Sequence, residues 1–202
     1  MGFWGVIAGV GVGVAGTAVV WVFKTLVVRP NLRMSPCISR RMENEEPVWR
    51  IKLGNYSWLP AIELSIHAVL RANVTASAIS VIDIGLSTDF IDLLPRRALN
   101  KPGRHRLVYL DPSHLTPRAI GRLPADLQAK IEHPDGPAGP ISLEDLLDIQ
   151  TAGKPPATLT ITAFCFNGLS GTRKYFFKRY VGSAAVQDRA FKKGSLDLAQ
   201  EP

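Results

Sequence analysis

No charged residue and no proline occurs between Phe3 and Phe23. That absence excludes an ordinary loop or surface helix and leaves an unbroken apolar run. As a helix the run is roughly 31 Å long, close to the ~30 Å hydrocarbon core of a bilayer. Phe3 and Trp4 at one end, and Trp21 and Phe23 at the other, suit the headgroup levels as ring anchors. No basic segment precedes the run, only Met1 and Gly2. A cleaved signal peptide, the main rival, needs a basic leader and a shorter apolar core.

Cysteine is scarce: Cys37 and Cys165 alone, neither in a CxxC pair nor at metal-ligand spacing from a histidine. In a reducing compartment both are free thiols; a Cys37–Cys165 bridge is open only to a body held outside the cell. Groove-reading helices and aromatic RNA platforms are absent as well, so nucleic acid is not an expected partner despite a net charge of +7 and a pI near 9.7. No internal repeat is present.

The basic residues that are there cluster after the apolar run. Lys24, Arg29, Arg33, Arg40 and Arg41 all fall within the ~20 residues in which Lys/Arg bias sets orientation. They predict a transmembrane helix over 3–23 with a cytoplasmic C-terminal body, an extracytoplasmic body being the alternative. They also predict contact with anionic headgroups, worth ~1 kcal/mol per cation near the surface. Within the apolar run Gly5, Gly9 and Gly13 recur every fourth residue, a spacing that lets two helix backbones approach and predicts a homo-oligomer through the glycine face.

The rest divides by composition into a basic neck over 24–47, a folded domain over 48–182, and a polar tail over 183–202. The neck, with Pro30 and Pro36, is expected to be an extended connector. Trp49, Ile51 and Leu53 alternate with Val48, Arg50 and Lys52, the period-2 mark of a half-buried strand. Ile62, Leu64, Ile66, Ala68 and Leu70 repeat that pattern against Glu63, Ser65, His67 and Arg71. Residues 78–86 and 106–110 predict two more strands. Between Asp111 and Gly153 proline and short helical signals dominate: one turn over 116–122, and a capping box in which Ser142 and Asp145 precede Leu146 and Leu147. Residues 133–140 are a Pro/Gly loop. Last comes a long hairpin, 158–166 against 173–180, around Asn167, Gly168, Ser170 and Gly171. In the tail Phe191 is the one docking candidate. Antiparallel turn signals with few helices argue for a mainly β body, an antiparallel β-sandwich with short helices.

On these elements the body resembles the cytoplasmic immunoglobulin-like domain of inward-rectifier potassium channels. The matching features are Arg50 to Asn55 leading into the strand from Ile62, the aliphatic strand 159–166, the glycine turn 168–171, the strand 173–180 ending in Tyr180, and Phe191. The resemblance spans roughly 140 residues and implies an immunoglobulin-like sandwich. The chain lacks the second membrane helix, pore helix and TVGYG-like filter whose carbonyl rings select ions. It is therefore not such a channel, and it is also similar to single-pass bacterial membrane proteins carrying one small β domain.

Catalysis finds little support. Asp111, Ser113 and His114 sit together, but adjacent residues on one loop seldom form a triad, and the run suits a turn capped by its own side chains. His67 is expected to face solvent and His105 lies between Arg104 and Arg106. His133, with Glu132 and Asp135, offers donors to a hard cation but belongs to a solvated loop. Glu144, Asp145 and Asp148 suit the exposed face of a short helix. No cofactor and no metal is expected. The sequons Asn55–Ser57 and Asn73–Thr75 matter only in a eukaryotic secretory route. Trp49 is expected in the core. Trp58, Arg173, Lys174, Lys178 and Arg179 are interface candidates, the basic four being either a lipid or acidic-partner patch or a solvated strand edge. The sequence thus predicts a membrane-anchored binding, scaffolding or regulatory module. Its alternatives are an accessory subunit of a transport or channel assembly, which adds a membrane-protein partner, an extracytoplasmic envelope module, and an enzyme at the membrane.

Overall fold

The computed structural model describes residues 3–22, 31–57, 59–74, 79–95, 105–134, 136, 140–150, 153–167 and 173–199, with side chains from Gly13 in the first segment and without that of residue 167. The chain is mainly β. Helix α1 (Phe3–Val22) is followed by strands β1 (Leu32–Met34), β2 (Ile38–Glu43), β3 (Glu46–Asn55), β4 (Ala61–Asn73), β5 (Ile79–Asp83), β6 (Gly85–Leu86), β7 (Phe90–Leu94) and β8 (His105–Asp111). Helices α2 (Pro117–Ile120), α3 (Ala125–Glu132) and α4 (Leu143–Leu147) precede β9 (Thr158–Asn167), β10 (Arg173–Val181), a 3-10 turn at Ser183–Ala185 and β11 (Val186–Gln187).

Two sheets share one core. Sheet A runs β11-β2-β3-β8-β6 with β1 also on β3; sheet B runs β10-β9-β4-β5 with β7 also on β4. All pairings are antiparallel except β11 with β2. Ile51, Leu53 and Val108 of sheet A bury fully against Leu64, Leu70, Leu159 and Ile161 of sheet B. Leu143, Leu146 and Leu147 of α4 join the same core, so the short helices are a lid on the sandwich rather than a separate unit.

The predicted capping box forms: Ser142 and Asp145 exchange side-chain-to-backbone hydrogen bonds of 3.1 and 2.9 Å. The predicted turn at 116–122 is α2, with Thr116 as N-cap. The hairpin forms with Tyr175 opposite Phe164 and Arg179 opposite Thr160.

Three boundaries differ from expectation. The neck is sheet from Leu32 onward: β1 and β2 pair with β3, and Cys37 and Ile38 are buried. Asn44 and Glu45, both at positive φ (53° and 70°), make the two-residue turn between β2 and β3. Positive φ at both central positions is the turn whose twist matches paired strands, and the acidic run masked that signal. The expected strand 78–86 is two strands in two sheets, because the chain crosses from β5 in sheet B to β6 in sheet A at Ile84. The tail is no tail as far as Ala199. Ser39 Oγ donates to the Arg189 carbonyl at 2.5 Å, and Lys52 Nζ donates to the Lys192 carbonyl at 2.9 Å beneath Phe191. That strap covers Lys52, while Arg50, also buried, pairs with Glu43 at 2.7 Å.

Strand β4 contains an irregularity that matters for the surface. Ala61 and Leu64 both face the core although they are three positions apart, which regular alternation would put on opposite faces. The register shifts between Ile62 and Ser65, and Glu63 takes a φ of +48°. A bulge of this kind adds one residue and re-aims its neighbours. Ile62 is turned outward by it, so the expected alternation holds from Leu64 on.

Among the described residues no helix is long and apolar enough to cross a membrane. Helix α1 is described with its side chains only from Gly13 to Val22, about 15 Å of helix.

Candidate functional site

Period 2 sorts every residue of β9 and β10 onto one of two faces. Leu159, Ile161, Ala163 and Cys165 go inward and are buried. Thr160, Thr162, Phe164 and Phe166 go outward, opposite Arg179, Phe177, Tyr175 and Arg173 on β10. On β4, Ser65 and His67 lie opposite Phe164 and Thr162 on the same face. A row of rings follows. His67 meets Phe164 edge-on at 6.1 Å, Phe164 meets Tyr175 at 5.2 Å, and Tyr175 meets Phe177 at 5.7 Å. At one end Arg179 stands 5.4 Å over Phe177; beside the row on the same face Arg173 stands 4.5 Å over Phe166.

The rings are open to solvent. Tyr175 is 51% and Phe177 54% exposed. Phe90 and Leu93 of β7, Ile79 and Val81 of β5, and Val181 of β10 extend the apolar surface to both edges of sheet B. At one corner Glu63, Ser65, Phe90, Phe164, Phe166 and Arg173 line a shallow cleft of about 350 Å³. Glu63 stands in it because of the bulge, and a non-glycine residue at positive φ stores roughly 1–3 kcal/mol of strain, a frequent mark of working surfaces. Contiguous exposed apolar area of this kind marks interaction sites.

Of the basic four on β10, only two belong to this face. Arg173 and Arg179 point outward, while Lys174 and Lys178 lie on the alternate side of the strand, half-buried. Lys174 acts on the Cys165 thiol and Lys178 on that of Cys37, in both cases lowering a pKa that burial raises. Burial dominates at Cys165, whose thiol is pushed up to about 11. Both cysteines are buried and free. Trp58, Lys24 and Arg29 lie outside the described residues.

The remaining cations divide. Arg33 stacks 4.9 Å over Tyr56. Arg40 is committed to protein carboxylates, bonding Asp188 through Nε and, at 2.6 Å, through Nη2, and Glu144 through Nη1 at 3.0 Å. Hydrogen bonding to Asp188 holds the Arg40 pKa above its usual value against the effect of burial. Arg41, beside it, is exposed. Gly5 and Gly9 lie in α1 without described surroundings. Gly13 has nothing within 4 Å of where a Cβ would stand.

Glu144 and Asp145 of α4 are half-buried and engaged, whereas Asp148, the residue after the helix, is exposed as expected. Glu144 accepts from Trp49 Nε1 at 2.8 Å as well as from Arg40, which fixes the buried indole. Asp145 caps its helix and pairs with Lys130 at 2.9 Å. Asp148 accepts from the Ser183 amide. Asn55 is 2% exposed and bonds the Leu59 and Leu94 carbonyls, so that sequon offers no acceptor at the surface.

The Asp111 loop borders a cleft of about 840 Å³ that also touches Trp49, Tyr109 and Ile141. Its geometry is a turn. Ser113 Oγ donates to Asp111 Oδ1 at 2.5 Å, and His114 Nδ1 meets Oδ2 at 2.6 Å. Burial alone would raise the Asp111 pKa, but the bonds from Ser113 and His114 outweigh it and hold the carboxyl below its ordinary value. Serine is thus bonded to the acid and not to a base, the reverse of a nucleophile's arrangement. Asp135 lies outside the described residues, and among those residues no group of three His, Cys, Asp or Glu side chains is placed to hold a metal ion.

The aromatic row was not foreseen in the sequence, although its signal is there: phenylalanine and tyrosine on the polar side of both hairpin strands. No family model matches the chain, and no curated protein matches it.

Proposed function

We propose that this protein is a single-pass, membrane-anchored β-sandwich module that works by binding, with the outer face of sheet B as its working surface. The observation that carries the proposal is the exposed row of His67, Phe164, Tyr175 and Phe177, with Arg179 over Phe177 and Arg173 over Phe166 on the same face. Large exposed apolar area costs solubility, and soluble surfaces rarely keep it without use.

The anchor is α1. Val14, Val19, Val20 and Trp21 all present open apolar side chains, spread round the helix rather than along one stripe. Thr17, its one hydroxyl, donates back to the Gly13 carbonyl at 2.8 Å, so that hydroxyl does not need water. The open side at Gly13 and Gly16 supports self-association through the glycine face. The cationic run after the helix supports a cytoplasmic body. The immunoglobulin-like character belongs to this proposal too, supported by two antiparallel sheets over one core and by the resemblance of the closing hairpin. No catalytic step is part of it.

A C-terminal reporter fusion in intact cells, followed by alkaline extraction of the membranes, tests the proposal. A cytoplasm-only reporter should be active and the chain should stay with the lipid. Activity of a periplasm-only reporter would reverse the topology, and release of the intact chain by carbonate would remove the anchor.

A further inference from the structure

We infer that the outer face of sheet B docks on the anionic surface of the bilayer that holds the anchor, with its rings at headgroup depth and Arg173 and Arg179 on lipid phosphates. This rests on the anchored-module proposal and adds the partner of its working face.

Position comes first. The described chain resumes at Asn31, whose carbonyl accepts from the Tyr56 amide, and Leu32 pairs with Asn55. Asn55 Nδ2 donates to the Leu94 carbonyl at 3.1 Å, Leu94 lies opposite Ala61, and Ala61 lies opposite Asn167. Phe166, next to Asn167, faces Arg173 across the hairpin. These contacts bring the chain arriving from α1 and the Arg173 end of β10 to one end of the sandwich. Residues 23–30 between helix and body reach at most about 30 Å. Strand β10 is nine residues, also about 30 Å. That upper bound on reach matches the length of β10, so chain length permits the whole face to lie against the surface that the helix enters.

Chemistry comes second. The face is apolar across its breadth, from Ile79 and Val81 at one edge to Val181 at the other, with Phe90 and Leu93 beside the bulge. A sugar, bound through hydrogen bonds, does not call for so much aliphatic surface. A bilayer interface does: rings and aliphatic groups sit below the phosphates while guanidinium groups reach them. Both arginines of β10 already lie over rings, which holds the charge at the level of the rings' edges. The cations on this face are Arg71, Arg173 and Arg179; the carboxylates are Glu63 in the corner cleft, Asp83 on β5 and Asp92 on β7, all away from β10. Strand β10 puts two cations, Arg173 and Arg179, and no acid on this face. The positive edge is the one that faces negative lipid.

The test uses the full chain in nanodiscs, either wholly phosphatidylcholine or with a third phosphatidylserine. An environment-sensitive fluorophore is placed at Phe177→Cys, at Met42→Cys on sheet A, or at Val14→Cys in the helix. The native thiols are buried, and unsubstituted protein sets the background. Nitroxide lipids then report contact. Docking predicts strong quenching at 177 in the anionic discs only, none at 42, and about a five-fold drop in the docked fraction for each of Arg173→Gln and Arg179→Gln. Raised salt should release the face as well. Equal quenching at 177 in both discs overturns the proposal, as does none in either. Self-quenching between labels at 177 without lipid contact assigns the face to a second copy and also overturns it. Quenching at 14 separates the two claims: if 14 is quenched and 177 is not, the anchor stands and docking falls; if neither is quenched, both fall. Since Phe177 is half exposed, its substitution leaves the core intact, and an unchanged thermal melt confirms that for each variant.

Discussion

Single side chains join parts of this molecule that lie far apart in the chain. Tyr180, 1% exposed, donates its hydroxyl to the Ser35 carbonyl at 2.9 Å and so ties sheet B to the connection between β1 and β2. Burial pushes its phenol pKa up, and the bond to Ser35 only partly offsets that. Tyr180→Phe should cost about 1 kcal/mol, since it leaves a buried carbonyl unpaired; the denaturant midpoint in mild detergent measures it. Asp145 gives a pH-dependent counterpart. Burial would raise its pKa, but Lys130 and the Ser142 amide and hydroxyl together bring it below the ordinary value of 3.8. A carboxylate with a lowered folded pKa contributes stability above its unfolded pKa and loses it as the pH falls through the folded one. Stability should therefore decline as the pH drops below about 4. Asp145→Asn should be less stable by about 1 kcal/mol at neutral pH and should flatten that decline, as midpoints measured from pH 6 to pH 2 would show. Identity was readable at both positions. Partners were not, apart from the Ser142 cap three residues away, because Lys130 and Ser35 belong to other elements.

Among elements, the hairpins show what local pattern conveys. The β9–β10 pair was legible because two alternating runs flank a glycine-rich turn, and period 2 alone sets which side chains share a face. The β2–β3 pair was missed because its turn holds Asn44-Glu45 instead of Asn-Gly, set among acids that read as a connector. Glutamate at a φ of 70° is strained. Glu45→Gly should relieve it and raise stability by about 0.5–1 kcal/mol, seen as a higher denaturant midpoint with an unchanged slope. Strand β4 teaches the converse. Its apolar alternation was visible, yet the bulge at Glu63 was not, since a bulge answers the strands on either side rather than its own sequence. The result is the outward turn of Ile62 and the corner cleft beside Arg173. The exposed rings of β9 and β10 were likewise present in the sequence as residues on the polar side. Their use as one surface depended on pairing with β4.

At the scale of the whole molecule the C-terminal strap is the least expected part. Asp188, the Arg189 carbonyl and the Lys192 carbonyl hold Arg40, Ser39 and Lys52 in turn. Removing residues 187–202 should cost about 3 kcal/mol, roughly 1 for each of those bonds, and should be measurable as a lower denaturant midpoint. The same scale decides the lipid question, because docking engages a face assembled from five strands.

The sequence by itself determined the apolar run, the period-2 strands, the closing hairpin and the Ser142 cap. Each is written within a few residues, at the range over which backbone geometry and side-chain alternation act. Tertiary structure alone decided that the neck is sheet, that residues 78–86 serve two sheets, that Arg40 answers Glu144 and Asp188 across 104 and 148 positions, and that four rings make one surface. Those outcomes depend on which distant segments bury the same core, and burial is a property of the packed whole.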